Sequence, residues 1–180
     1  MNLERALATP GFMAEIELQH LAWLAKASHS ILEIGTWQGR SARCFADNTD
    51  GVVYCVDTFA DNAYGSAPAE ITCHPEWLWN EFNKNHADTI ASGKVVPHRL
   101  NSSDGSLALA GKKFDVIFID AGHRYEDVKA DILNWRPFLY KWGVLCGHDY
   151  AEYHPGVMQA VQELVPNFLV FPNTTIWAGQ

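Results

Sequence analysis

The sequence predicts an α/β protein built on a mostly parallel, doubly wound sheet, and three observations carry that expectation. Strand-like apolar runs alternate with amphipathic helical stretches along nearly the whole chain. The run "FDVIFID" at 114–120 is almost continuously apolar, as a strand covered on both faces requires. Finally, "ILEIGTWQGRSA" at 31–42 carries an apolar strand through a glycine-punctuated turn into a helix-compatible stretch, the kind of junction where a ligand approaches the backbone.

Taken in order, Leu18, Leu21, Ala22 and Ala25 recur at i, i+3, i+4 and i+7, which predicts an amphipathic helix leading into the strand "ILEI". "RSARCFADN" reads as a short helix, "GVVYCVD" as a second strand and "EWLWNEFNKNHAD" as a helix with a bulky aromatic face. "KVVPHRL" is a third strand whose Pro97 removes a ladder donor, so it belongs at a sheet edge. "FDVIFID" follows, and then "HRYEDVKADILNWRPFL" with Tyr125, Val128, Ile132 and Trp135 near helical spacing. "WGVLCGHDY" reads as a strand and turn, and "PGVMQAVQELVP" as a helix started at Pro155 and stopped by Pro166. "FLVF" and "TIWAG" flank "PNT" as a hairpin, which makes one strand antiparallel. Residues 58–75 show no sustained periodicity and are long for a connection, the profile of a lid or binding loop.

At 180 residues the chain has the length of one domain. No run of 18 apolar residues offers a membrane span, and "MNLERALATP" lacks the apolar core of a signal peptide, so the expectation is a cytoplasmic protein. The net charge is −8 with Lys and Arg scattered, which argues against a nucleic-acid partner. Cys44, Cys55, Cys73 and Cys146 have no CxxC spacing and read as core thiols.

In an open α/β sheet the ligand crevice lies beyond the carboxyl ends of the strands. The predicted strands leave Glu33, Gly35 and Gly39, then Asp57, then Asn101, Ser102 and Ser103, then Asp120 and His123, and last His148 and Asp149 at those ends. Asp57 follows Gly35 by 22 residues, the distance at which a carboxylate on the second strand reaches ribose hydroxyls. A dinucleotide fingerprint would need glycine at 35, 37 and 40, where this chain has Gly35, Trp37 and Arg40. That leaves a nucleoside ligand without a pyrophosphate. His123 is a candidate general base, and Asp120 with Asp149 on neighbouring strand ends are candidate ligands for a divalent cation. His74, His86, His98 and His154 show no ligand-like spacing; His154 and Tyr153 stand close enough after the fifth strand to edge an acceptor pocket. Trp37, Trp77 and Trp79 fall beside the expected crevice and lid, where an indole can stack on a ring.

Together, "LEIGTWQGRSA", "VYCVDTF", "FDVIFIDAGHRYEDVKADILNW" and "WGVLCGHDY" resemble class I S-adenosylmethionine-dependent methyltransferases, especially the small-molecule branch that includes macrocin-type sugar O-methyltransferases. The resemblance implies a Rossmann-like, three-layer α/β fold with a seven-stranded sheet in the order 3-2-1-4-5-7-6, strand 7 antiparallel. It implies that Gly35, Thr36 and Gly39 pass the methionine part of S-adenosylmethionine, that Glu33 orients its ammonium group and that Asp57 binds the ribose. Phe59, Ser102 and Ser103 would lie near the adenine, and Asp120 would border the cofactor. It further implies His123 as the base, with Asp120 beside it in catalysis, and a cation on Asp120, His148 and Asp149. An imidazole at 148 suits Mn²⁺, Fe²⁺ or Zn²⁺ better than Mg²⁺. The expected partner is a small-molecule hydroxyl acceptor, a sugar among the candidates, and the sequence is compatible with self-association. The competing readings are a catalytically degenerate cofactor binder and an NAD-dependent oxidoreductase on the same fold.

Overall fold

The computed structural model describes residues 1–60 and 76–180. Apart from Thr58, Phe59 and Ala60, the expected lid lies outside the described residues, as do Cys73 and His74.

The strands are β1 (Ser30–Ile34), β2 (Val52–Asp57), β3 (Val95–Arg99), β4 (Phe114–Ile119), β5 (Leu139–Gly147), β6 (Leu169–Val170) and β7 (Trp177–Gly179). They form one seven-stranded sheet in the order β3-β2-β1-β4-β5-β7-β6. The β1, β2, β3, β4 and β5 ladders are parallel, and β7 runs antiparallel to both β5 and β6. Pro97 sits opposite Cys55 on the edge strand β3, where its missing N–H costs no ladder bond on the outer side.

The helices are α1 (Glu4–Ala8), α2 (Glu15–Lys26), α3 (Arg40–Asn48), α4 (Trp77–Asn85), α5 (Ala87–Ala91), α6 (Ser102–Ala108), α7 (Tyr125–Trp135) and α8 (Pro155–Leu164). Alternate residues along each strand feed two cores. Ile31, Val53, Cys55, Val116 and Phe118 join Leu18, Leu21 and Phe45 on the α2–α3 side. Leu32, Ile34, Val56, Ile117 and Ile119 join Val128, Ile132, Trp135 and Val161 on the α7–α8 side. Burial on both faces is what the apolar β4 run requires. Cys44, Cys55 and Cys146 are all buried thiols.

The expected long helix after β4 ends at Trp135 and tightens into a 3₁₀ turn at Arg136–Phe138, because Pro137 cannot continue an α-helix. The stretch "EWLWNEFNKNHAD" divides at the buried His86, whose Nε2 lies 2.9 Å from the Gly39 carbonyl and Nδ1 3.1 Å from Thr89 Oγ1. The short helices α1 and α6 were absent from the sequence reading, since five and seven residues are too few to show a period. α6 is started by Asn101, whose side-chain oxygen accepts the Asp104 N–H at 2.9 Å. Among the described residues no helix is long and apolar enough to cross a membrane.

Phe118 is fully buried on the central strand β4 and meets Phe45 edge to face at 5.7 Å. Phe118→Ala is expected to cost about 3–5 kcal/mol of unfolding free energy, read as a lower urea midpoint with an unchanged m-value.

Candidate active site

The carboxyl ends of β1, β2, β4 and β5 open on one cavity of about 620 Å³, within the range of small-molecule sites. Its walls are the glycine loop after β1, Asp57, Asn101 and Ser102, the stretch Asp120–His123, the pair His148 and Asp149, His154, and a segment at Gly11–Met13.

The glycine loop is shaped by close approach. Gly35 has φ of +81°, and a Cβ there would lie 2.2 Å from the Asp120 carbonyl oxygen. Asp57 holds the loop from the next strand. Its Oδ2 accepts the N–H groups of Thr36 at 2.7 Å and Trp37 at 2.9 Å, and its Oδ1 accepts that of Phe59 at 2.7 Å. A carboxylate has about four acceptor positions, so among the described residues one remains on Oδ1. Trp37 and Phe59 both adopt left-handed backbone, φ of +49° and +48°, which the shared carboxylate helps to hold.

Glu33 lies beneath this loop, fully buried. Burial pushes its carboxyl up to about 8 against the opposing hydroxyls of Ser41 and Thr36. Oε2 accepts the Thr36 hydroxyl at 2.9 Å, whereas Oε1 is buried with no hydrogen-bond partner among the described residues.

Besides Glu33, which is fully buried and off the cavity wall, four expected cofactor contacts differ from the geometry. Phe59 is buried in the core between Trp79 and Phe82, at 4.9 Å from each ring, because the tight turn after Asp57 directs its side chain inward. Gly39 caps α3 with φ of +91° and faces the His86 ring instead of the cavity. Ser103 is exposed on α6, off the cavity wall. Ser102 does line the cavity, but its hydroxyl donates to Asp131 and accepts the Trp135 indole N–H at 2.7 Å.

At the other end of the cavity, carboxylates and imidazoles interlock. His123 Nε2 lies 2.8 Å from Asp149 Oδ2. His148 Nδ1 lies 3.2 Å from Asp149 Oδ1 and 3.6 Å from Asp120 Oδ1, while its Nε2 meets Glu17 Oε1 at 3.0 Å. Burial alone would lower His148, but Asp120, Asp149 and Glu17 overcome it and push it up to about 11. Burial raises Asp120; it opposes but does not prevent the lowering of Asp149 by hydrogen bonds from His123 and His148. The bond to Asp149 raises His123 against its own burial. Asp149 itself has φ of +62°, a left-handed backbone that Asp tolerates better than most residues.

Glu17 was not among the expected site residues, whereas His154 was expected only at the edge of an acceptor pocket. Glu17 folds back on the start of α2, its Oε2 accepting the Ala14 N–H at 2.9 Å, and its Oε1 also accepts from Thr175 N and Oγ1 at 3.2 Å. Its sequence signal was an acid on the apolar stripe, four residues before Leu21. His154, whose spacing suggested isolation, packs its ring 4.1 Å from His123, with Nε2 3.7 Å from Asp149. The Gly11–Met13 segment is pinned by Arg40, which donates to the carbonyls of Thr9 at 2.7 Å and Met13 at 2.8 Å.

Residues 32–150 match a family model described as a methyltransferase domain. The chain belongs to that family, and its sheet is the class I methyltransferase sheet. Similar folds include CalS11, described as a TDP-rhamnose 3'-O-methyltransferase of calicheamicin biosynthesis, at TM-score 0.66 and 16% identity over 92% of this chain and 77% of that one. Another is an O-methyltransferase from Bacillus cereus in complex with SAH, at TM-score 0.68 and 18% identity over 98% and 89%. The uncharacterized protein y4gI of Sinorhizobium fredii is 28% identical over 151 residues, which is 79% of this chain and 16% of that protein. The chain therefore spans about a sixth of the length of that curated relative.

A carboxyl raised from 4.5 to about 8 stabilises the fold fully below pH 4.5, and that contribution is lost as pH rises toward 8. Glu33→Gln is expected to flatten the fall of melting temperature across this window, measured by thermal unfolding without ligand. An unchanged slope would assign it to other groups.

Proposed function

We propose that this chain transfers the methyl group of S-adenosylmethionine to a hydroxyl of a small molecule, with sugars among the candidate acceptors. The observation that carries the reading is one cavity joining the Gly35 loop, with a carboxylate on each side, to the His123–Asp149 pair. The family match supports methyl transfer, and the printed descriptions of CalS11 and the Bacillus cereus structure support oxygen as the acceptor atom.

The residues fit this cofactor. Glu33 lies off the cavity wall and supports the loop through the Thr36 hydroxyl that it accepts, and the acceptor position of Asp57 left among the described residues suits one ribose hydroxyl. NAD fits less well, because Trp37 stands where a pyrophosphate needs glycine and the Thr36 and Trp37 amides already bind Asp57. Retention of a His–carboxylate pair 2.8 Å apart favours a working enzyme over a degenerate binder.

S-adenosylmethionine supplies an electrophilic methyl group on a sulfonium. The chain has to place the acceptor oxygen in line and remove its proton. Asp149 Oδ2, 2.8 Å from His123 Nε2, orients that ring, and the His123 imidazole takes the acceptor proton. Asp120 closes the floor between that pair and the glycine loop.

A divalent cation is a second part of the reading. Asp120, His148 and Asp149 bring one ligand atom each to within 4.8 Å of one another, and Glu17 orients the His148 ring from behind. Such an ion would acidify the acceptor hydroxyl, and the mixed nitrogen and oxygen donors favour a first-row transition ion over Mg²⁺.

His123→Ala is expected to lower turnover at least ~100-fold, measured by transfer of a labelled methyl group, while the dissociation constant for S-adenosylhomocysteine changes little. Full turnover in this variant would remove His123 from the base role. Mn²⁺ should raise the melting temperature more than Mg²⁺, and Asp149→Asn should abolish the increment; equal response of the variant would place the ion elsewhere.

A further inference from the structure

We infer that the acceptor carries no phosphate or other anionic tag: it is an uncharged hydroxyl compound whose ring lies against the Phe12–Trp37 face of the cavity. This rests on the methyl-transfer reading above and narrows its acceptor.

The charged groups lining the cavity are already committed within the chain. Among the described residues, Arg40 is the one Lys or Arg on its wall, and its Nε and Nη1 donate to the carbonyls of Thr9 and Met13. Recognition of a phosphate uses a guanidinium fork, an ammonium or a cradle of free amides. The fork here faces main-chain carbonyls, and the cradle amides of Thr36 and Trp37 face Asp57. Near Asp120 and Asp149, the imidazoles of His123 and His148 are already paired with those carboxylates and are not free to receive a phosphate.

The negative groups are balanced as well, which removes the case for a cationic acceptor. Asp149 pairs with His123 and His148, and Asp120 lies within ion-pair distance of His148. Apart from Asp57, whose partners are loop amides and which the reading above gives to the cofactor, what the wall offers without a partner of opposite charge is aromatic surface. Phe12 is 70% exposed, and its ring lies 4.8 Å from that of Trp37 at 36°. Phe12 and Trp37 both border the same cavity as His123. Arg40 fixes the carbonyls on either side of Phe12, so the ring is carried on an anchored segment. A ring with an apolar face, aryl or glycosyl, gains contact there at little ordering cost.

The test uses the full chain with labelled S-adenosylmethionine and matched acceptors: a catechol and a methyl hexoside, each against a partner carrying a phosphate or nucleoside diphosphate away from the reacting hydroxyl. The uncharged member of each pair is expected to show a kcat/KM at least ~10-fold higher, the scale on which misplaced like charge discriminates. Equal or better transfer to the anionic members overturns the inference. Phe12→Lys places a cation on the exposed ring position and should move the ratio about 10-fold toward the anionic members. An unmoved ratio removes Phe12 from the acceptor wall. Calorimetric binding of S-adenosylhomocysteine to the same protein separates the two levels. If it fails to bind, the methyl-transfer reading fails; if it binds and anionic acceptors win, the acceptor class alone is wrong.

Discussion

The Asp57 carboxylate is the contact on which the rest of the site depends. It accepts N–H groups from two consecutive residues of the loop after β1 and from the residue two places along its own chain. Three amides that would otherwise need water or a ligand are thereby satisfied by the fold itself. The loop path follows: Gly35 passes against the Asp120 backbone, Trp37 takes a left-handed conformation toward the cavity, and Phe59 turns into the core beside Phe82. With the Thr36 and Trp37 amides given to a carboxylate, neither is free to receive a phosphate. One side chain thus couples the packing of β2 to the choice of cofactor.

At the opposite wall, carboxylates and imidazoles alternate from Glu17 through His148 to Asp149 and His123. Buried charges of this kind are tolerable only when each has a partner, and here the Glu17–His148 and His123–Asp149 contacts cross between elements distant in the chain. Glu17 comes from α2, Asp149 follows β5, and Thr175 precedes β7. The arrangement holds the carboxyl end of β5 against the first long helix. It also orients the imidazoles that line the cavity, so removing Glu17 would disturb both stability and site geometry.

The sheet was legible because its signals are local and periodic. Alternating runs marked the strands, Pro97 marked an edge, and Pro155 and Pro166 bracketed α8. The site was legible where a residue sits at the end of a recognisable strand, as Asp57, Asp120 and Asp149 do. It was not legible where partners come from far away. Glu17 and His148 are 131 residues apart, and no spacing rule connects them. Phe59 was misplaced for a different reason: strand position locates a residue near the crevice, but the tight turn around Asp57 decides where its side chain points. His154 reaches His123 from the N-cap of α8, 31 residues further along the chain, which spacing does not reveal.

The most direct measurement is a calorimetric titration of the chain with S-adenosylhomocysteine and, separately, with NAD. A site built on Asp57-filled amides and a buried Glu33 predicts saturable one-to-one binding of the first and no saturable heat from the second. Saturation by NAD, or absence of binding by S-adenosylhomocysteine, would contradict the account of this cavity as a methyl-donor site.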